Sequence, residues 1–323
     1  MRHLARALAA ALCLAASGGA HAEPVARAVG CLALTVSDAA RASAFYAGVL
    51  QFTRADERDQ TDAGSAELDG IPGLRAHVVR LRLGSECVEL VEVLAPRGRP
   101  KPPGERSNDL TFQHIAIVVR DMDAAYARLR QANVRQVSSE PQRIPVSNRA
   151  AAGIRAFYFR DPDDHNLELI WFPKGKGAPR WQAPSDSLFL GIDHTAIAVS
   201  STERSLAFYR DRLGMRVAGE SENSGPEQEH LNAVFASRVR ITGLRAAAGP
   251  GIELLEYLAP ADGRPFPDDV HANDVIYWLT RLSATDIDSV APGAVAVDEN
   301  VNGFRRGVVV RDPDGHALRL EED

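Results

Sequence analysis

Four stretches of the chain alternate apolar and polar positions and then pass into a helical spacing. They are CLALTVSDAARASAFYAGVLQF (Cys31–Phe52), QHIAIVVRDMDAAYARLRQ (Gln113–Gln131), HTAIAVSSTERSLAFYRDRLGM (His194–Met215) and a weaker DVIYWLTRLSATDIDSV (Asp274–Val290). Period-two alternation predicts a strand, the Asp or Ser after it an N-cap, and the apolar spacing beyond an amphipathic helix. Short strands follow each helix, as in HVVRLRL from His77 and CVELVEV from Cys87. The predicted unit is strand–helix–strand–strand–strand, used four times.

The chain is also duplicated. The first stretch shares Ala33, Val36, Ser37, Phe45, Tyr46 and Leu50 with the third, in the second half. VELVEVLAP (Val88–Pro96) matches IELLEYLAP (Ile252–Pro260), and FRDPDDHNLELI (Phe159–Ile170) matches VRDPDGHALRLE (Val310–Glu321). Proline-rich connectors at Arg97–Asp109 and Ala261–Asn273 separate the units within each half, and Pro173–Asp186 has no periodicity. The expected organisation is a first domain at 23–175 (modules 1 and 2), a linker at 176–187 and a second domain at 188–323 (modules 3 and 4).

Residues 1–22 stand apart. Arg2 and Arg6 form a short positive start before an apolar run, Ala7–Ala16, that is too short for a bilayer, and Ala20-His21-Ala22 offers a small-x-small cleavage pattern. A signal peptide cut after Ala22 implies export, to a periplasm or beyond the cell. Three cysteines exclude a disulfide scaffold and a four-cysteine zinc site. A net charge of −6 without a basic run excludes sequence-independent nucleic-acid binding, and no apolar run is long enough for a membrane span. The expected partner is a small-molecule substrate, with the protein a monomer or homodimer.

The four βαβββ modules, the strands opening on His, the FY-containing helices and the RDPD-x-H-x-L-x-L endings resemble the vicinal oxygen chelate superfamily. That group includes glyoxalase I, methylmalonyl-coenzyme A epimerase, extradiol dioxygenases and the bleomycin and fosfomycin resistance proteins. The resemblance implies an α+β fold in which modules pair into two cup-shaped domains, with metal ligands on the first and last strand of each module. In the first cup those positions are Cys31, Glu89, His114 and Glu168; in the second, His194, Glu253, Val275 and Arg319. Two carboxylates in a low-dielectric space require a proton or a cation between them. With His114 they suit a divalent ion such as zinc, manganese, nickel or ferrous iron, and the resemblance implies Glu89 or Glu168 as the catalytic proton-transfer base.

Several positions carry alternatives. Glu89 and Glu92 lie an odd number apart and face opposite sides of a strand, so only one points inward, and family position favours Glu89. Cys31 stands where the family usually has His. It is read as a fourth ligand, a disulfide partner of Cys87 or a buried small apolar side chain. A single histidine in the first cup counts against extradiol cleavage, which uses two. The second cup reads as disarmed, because Val275 cannot coordinate and Arg319 replaces a carboxylate, either pairing with Glu253 or clamping an acidic ligand. His77 is a candidate extra ligand or base. His165 and His316 read as turn residues, and the Phe45-Tyr46 and Phe208-Tyr209 pairs as packing.

The expected function is an exported, metal-dependent, glyoxalase-like enzyme of lyase or isomerase type, acting on a small vicinal-oxygen substrate in the first cup. The alternatives are a binding protein of the bleomycin-resistance kind and an extradiol-type dioxygenase.

Overall fold

The computed structural model describes residues 23–323; the expected signal peptide lies outside the described residues. Module 1 comprises β1 (Ala26–Val36), α1 (Ala39–Gly48), β2 (Thr53–Gln60), α2 (Ala63–Leu68), β3 (Arg75–Leu83) and β4 (Glu86–Ala95). Module 2 has β5 (Gln113–Val119), α3 (Met122–Gln131), β6 (Arg135–Gln136), β7 (Gln142–Arg143), β8 (Arg155–Arg160) and β9 (Asn166–Trp171). Module 3 has β10 (Phe189–Val199), α4 (Thr202–Leu206, continuing as a π-helical turn), β11 (Arg216–Ser224), α5 (Pro226–Asn232), β12 (Arg238–Arg245) and β13 (Gly251–Ala259). Module 4 has β14 (Trp278–Ala284), α6 (Ile287–Val290), β15 (Val295–Ala296), α7 (Glu299–Asn302), β16 (Arg306–Arg311) and β17 (Ala317–Glu322). The caps read from the sequence are in place: Asp38, Asp121 and Ser201 accept from backbone N–H groups of the first turns of α1, α3 and α4.

The strands form two open sheets, and their membership overturns the expected pairing. One sheet runs β15-β16-β17-β14-β1-β4-β3-β2 and joins module 4 to module 1. The other runs β11-β12-β13-β10-β5-β9-β8-β6 and joins module 3 to module 2. The halves stand as sequence repeats, but each cup takes one module from each half. The first strands make the joints: β1 lies antiparallel to β14, and β10 antiparallel to β5. A strand's apolar alternation fixes which face it buries, and all four first strands alternate alike, so the pattern does not select the partner.

The chain crosses between the cups through its connectors, which meet each other. The Arg99 guanidinium donates to Asp274 at 2.7 Å, and Arg264 donates to Asp109 at 2.5 Å. The RDPD turns tie the modules of each half together: the Ser37 and Ser200 hydroxyls donate to Asp163 and Asp314, both at 2.6 Å. Hairpins lock one sheet to the other. A Cβ on Gly249, between β12 and β13, would lie 1.9 Å from the Val29 carbonyl oxygen, so only glycine fits that contact. One continuous core joins both sheets, through Leu34 and Leu90 on one side and Ile117, Leu169, Ile197 and Leu254 on the other. Among the described residues no helix is long and apolar enough to cross a membrane.

Candidate metal centre

Pairing β5 with β10 places His114 opposite Ala196, two residues from His194 and on the same face. Glu168 on β9 lies opposite Ala116, and Glu253 on β13 opposite Ala196, so all four side chains enter one cup. Glu168 Oε2 is 3.0 Å from His114 Nε2 and 3.5 Å from His194 Nε2, and Glu253 Oε2 is 3.3 Å from His194 Nε2. His114, Glu168 and His194 are buried, with one ligand atom of each within 4.8 Å of the others.

These separations fit a shared cation. Ligand atoms about 2.1 Å from one ion, at about 90–110° to one another, stand roughly 3.0–3.4 Å apart. The imidazole nitrogens agree. His114 Nε2 and His194 Nε2 face carboxylate oxygens yet lie out of line for hydrogen bonds, leaving both as buried nitrogens without a hydrogen-bond partner. Buried polar atoms are nearly always satisfied, so two unpartnered imidazole nitrogens that converge on carboxylates suit a ligand set. His194 is oriented from behind: its Nδ1 lies 3.0 Å from Asp193 Oδ2, which fixes the tautomer with Nε2 free. Asp193 is held by Arg245 at 2.8 Å and by the Trp181 indole N–H at 2.7 Å, so the inter-half linker contributes to the site.

The electrostatics show what the cup must balance. Burial alone would lower the His194 pKa, but Glu253, Asp193 and Glu168 push it up to about 10. Burial would raise Glu168, but the two histidines beside it hold it at about 2. Glu253 is raised, chiefly by burial. Two carboxylates thus share a buried space with His194, negative charge that a divalent cation would balance. A cavity of about 280 Å³ opens onto His194 and Glu253, and another of about 100 Å³ reaches Glu168 beside Tyr158. Asp193→Asn is expected to weaken metal binding about 10–100-fold, read by titrating the metal-free protein with zinc or manganese.

The expected ligand set is therefore split. His114 and Glu168 are in this cup, whereas Cys31 and Glu89 lie in the eight-stranded sheet, with His194 and Glu253 taking the places assigned to them. Two histidines share the cup, so the count that disfavoured extradiol chemistry no longer holds. Glu89 does point inward: Glu92, on the other face, accepts from the Ala39 N–H at the start of α1. Arg58, Arg80 and Arg281 surround Glu89 at 3.1, 2.7 and 2.9 Å, so guanidinium groups stand where a metal was expected. Cys31 is no ligand either, since it forms a disulfide with Cys87. Replacing both cysteines by serine opens a 56-residue link and is expected to cost about 2–4 kcal/mol in urea denaturation, with metal content unchanged.

The assignments of Val275, Arg319 and His77 also change, while His165 and His316 keep theirs. By register the counterpart of His114 is Leu279, not Val275, which precedes β14. Arg319 pairs with Glu321 at 2.8 Å rather than with Glu253. His77 sits opposite Glu92, on the face away from the cup, between Asp59 at 2.8 Å and Glu57 at 3.0 Å. His165 and His316 are buried in the RDPD turns, where their backbone N–H groups donate to Asp161 and Asp312. Asp193 and Trp181 escaped the sequence reading; the Asp-His pair at 193–194 was the available signal.

The family described as the glyoxalase/bleomycin resistance protein/dioxygenase superfamily matches residues 28–169 and 191–320. A 2-epi-5-epi-valiolone epimerase from Actinomyces sp is 36% identical over 156 residues, 47% of this chain and 83% of that protein. Glyoxalase I from Zea mays superposes with a TM-score of 0.59 at 14% identity, covering 91% of this chain and 92% of that one. A putative dioxygenase from Bacillus subtilis does so with 0.57 at 14% identity, covering 93% and 86%. The structural likenesses speak for the fold alone. The family match spans most of the sequence in two copies, and the chain belongs to the glyoxalase/bleomycin resistance protein/dioxygenase superfamily.

Proposed function

We propose that the chain is a metal-dependent epimerase or isomerase that moves a proton at a carbon next to a carbonyl of a small, uncharged, hydroxylated substrate. The observation that carries this reading is the convergence of His114, Glu168 and His194, with Glu253 at the mouth of the cavity. These four residues would hold the ion, which when bound supplies Lewis-acid polarisation of a substrate oxygen. Glu253 has the access required of a proton carrier: its side chain is 30% exposed, against 6% for Glu168. It takes the proton on a carboxylate oxygen, while Glu168, between two imidazoles, stays ionised.

The cavity wall supports an uncharged substrate. Ala150, Gly219 and Ser221 line it with Glu220 and Glu253, and Arg245 is already committed to Asp193. Such a wall suits hydroxyl groups better than phosphate or a coenzyme ester, in keeping with the valiolone-type ketone in the name of the epimerase relative. The Cys31–Cys87 disulfide, with the signal-like start of the sequence, supports action in an oxidising compartment outside the cytoplasm.

The test uses 2-epi-5-epi-valiolone in D₂O with the metal-loaded protein, following loss of the α-proton signal by NMR. Wild type is expected to exchange that proton, and Glu253→Gln to do so about 10²–10⁴-fold more slowly with its metal retained. Equal rates for the two proteins would sink the assignment. The pair of histidines with one carboxylate favours a second reading, a ferrous ring-cleaving dioxygenase. Dioxygen uptake with a catechol after anaerobic iron loading would select it.

A further inference from the structure

The eight-stranded cup carries the opposite polarity at the corresponding positions. Where the metal cup has His194, Glu253, His114 and Glu168, this cup has disulfide-bonded Cys31, Glu89, Leu279 and Arg319. Arg58, Arg80 and Arg281 converge on Glu89, and Arg281 also donates to Glu321 at 2.5 and 3.0 Å. Four guanidinium groups thus face three carboxylates: Glu89, Glu321 and Asp69. Asp56 approaches Arg58 only from the solvent side, at 3.5 Å and half exposed.

The donors are in excess. Arg319 is 6% exposed, and among the described residues its hydrogen bonding is confined to Nε, which donates to Glu321. Its Nη1 stands 3.8 Å from Asp69, an ion pair beyond hydrogen-bond reach, and its centre lies 5.2 Å from the Phe304 ring, so the forked end makes no hydrogen bond. Arg58 Nε is likewise buried without a partner. Both side chains line one cavity of about 30 Å³ with Gln60, Asp69, Glu89 and Tyr277. A water needs about 10–15 Å³ of such space, so the room is that of two or three waters, the size of a carboxylate head.

We infer that this second cup is a metal-free anion site, in which Arg319 and Arg58 clamp the carboxylate of a small monocarboxylic acid. The guanidinium fork matches a carboxylate in two parallel hydrogen bonds, and a buried cluster with surplus positive charge is stabilised by an anion. Nothing in this assignment requires the metal cup to be catalytic.

The test is a thermal-shift titration of the metal-loaded protein with sodium formate and sodium acetate in a chloride-free buffer, with phosphate as the larger, more highly charged comparison. Formate and acetate are expected to raise the midpoint at millimolar concentration, and phosphate to do so less. Arg319→Gln is expected to weaken that response about tenfold or more. Glu89→Gln is expected to strengthen it, because a resident negative charge is removed. A purely structural cluster would be weakened by both substitutions. His114→Ala, which acts on the other cup, is expected to keep the full response. An absent response in wild type, an equal one in Arg319→Gln, or a weaker one in Glu89→Gln would each overturn the site.

Discussion

Replacing His114 or His194 by alanine is expected to remove the bound divalent ion, whereas Glu89→Gln and Cys31→Ser leave it in place. The contrast follows from sheet membership, because β5, β9, β10 and β13 are neighbours in one sheet and β1 and β4 belong to the other. Each histidine supplies a buried nitrogen without a hydrogen-bond partner, and its loss leaves two carboxylates facing one remaining imidazole. Elemental analysis after metal-replete purification should give about one ion per chain for wild type and almost none for either alanine variant. The stabilisation by added metal, about 2.7 kcal/mol when the free ion is a hundredfold above its dissociation constant, should vanish with it. Activity is expected to fall with metal content. Metal loss in Glu89→Gln as well would restore a cup built from modules 1 and 2.

Asp161→Ala is expected to destabilise the protein by about 3–5 kcal/mol, the cost of leaving one partner of a buried ion pair alone. The Asp161 carboxylate accepts from the backbone N–H groups of Asp163 and His165, from the Tyr46 hydroxyl and from His165 Nδ1. His165 Nε2 faces the Val275 carbonyl at 2.8 Å, so both ring nitrogens face acceptors and both carry protons. Burial alone would lower the His165 pKa, but Asp161 lifts it above the ordinary value. Burial would raise Asp161, but His165 and the backbone N–H groups hold it below the ordinary range.

The pH dependence follows with a definite sign. The His165 contribution is complete below about pH 6.5, its unfolded pKa, and is lost as pH rises through the higher folded value. The Asp161 contribution is present above about pH 4 and is lost as pH falls through its folded value. Urea denaturation of the metal-loaded protein should show stability declining on the alkaline side, and Asp161→Ala should flatten that decline. An unchanged alkaline slope would remove the ion pair from the account.

The sequence carried the local structure well. Asp38, Asp121 and Ser201 announced their helices, and the β4 register separated Glu89 from Glu92 once α1 was seen to use the outer one. The mates of the first strands were not legible, because Leu32, Ile115 and Ile197 sit in equally good alternations and pairing is decided by long-range packing. Chemistry held a clue that periodicity lacked. His114 and Glu168 are intact in module 2, and His194 and Glu253 in module 3, while modules 1 and 4 hold Cys31, Glu89, Leu279 and Arg319. Joining the intact modules gives one complete ligand set; joining the halves gives two broken ones.

The nested order of the modules also sets a sequence of assembly. The joint between β5 and β10 closes over about 80 residues, whereas that between β1 and β14 must bring together positions about 250 residues apart. Loop-closure entropy separates the two by only about 1 kcal/mol, but once the inner sheet has formed it holds the outer modules close, so the outer joint closes over a much shorter effective distance. The outer sheet is then expected to be the last to form and the first to open under denaturant, with the inner pair as the nucleus.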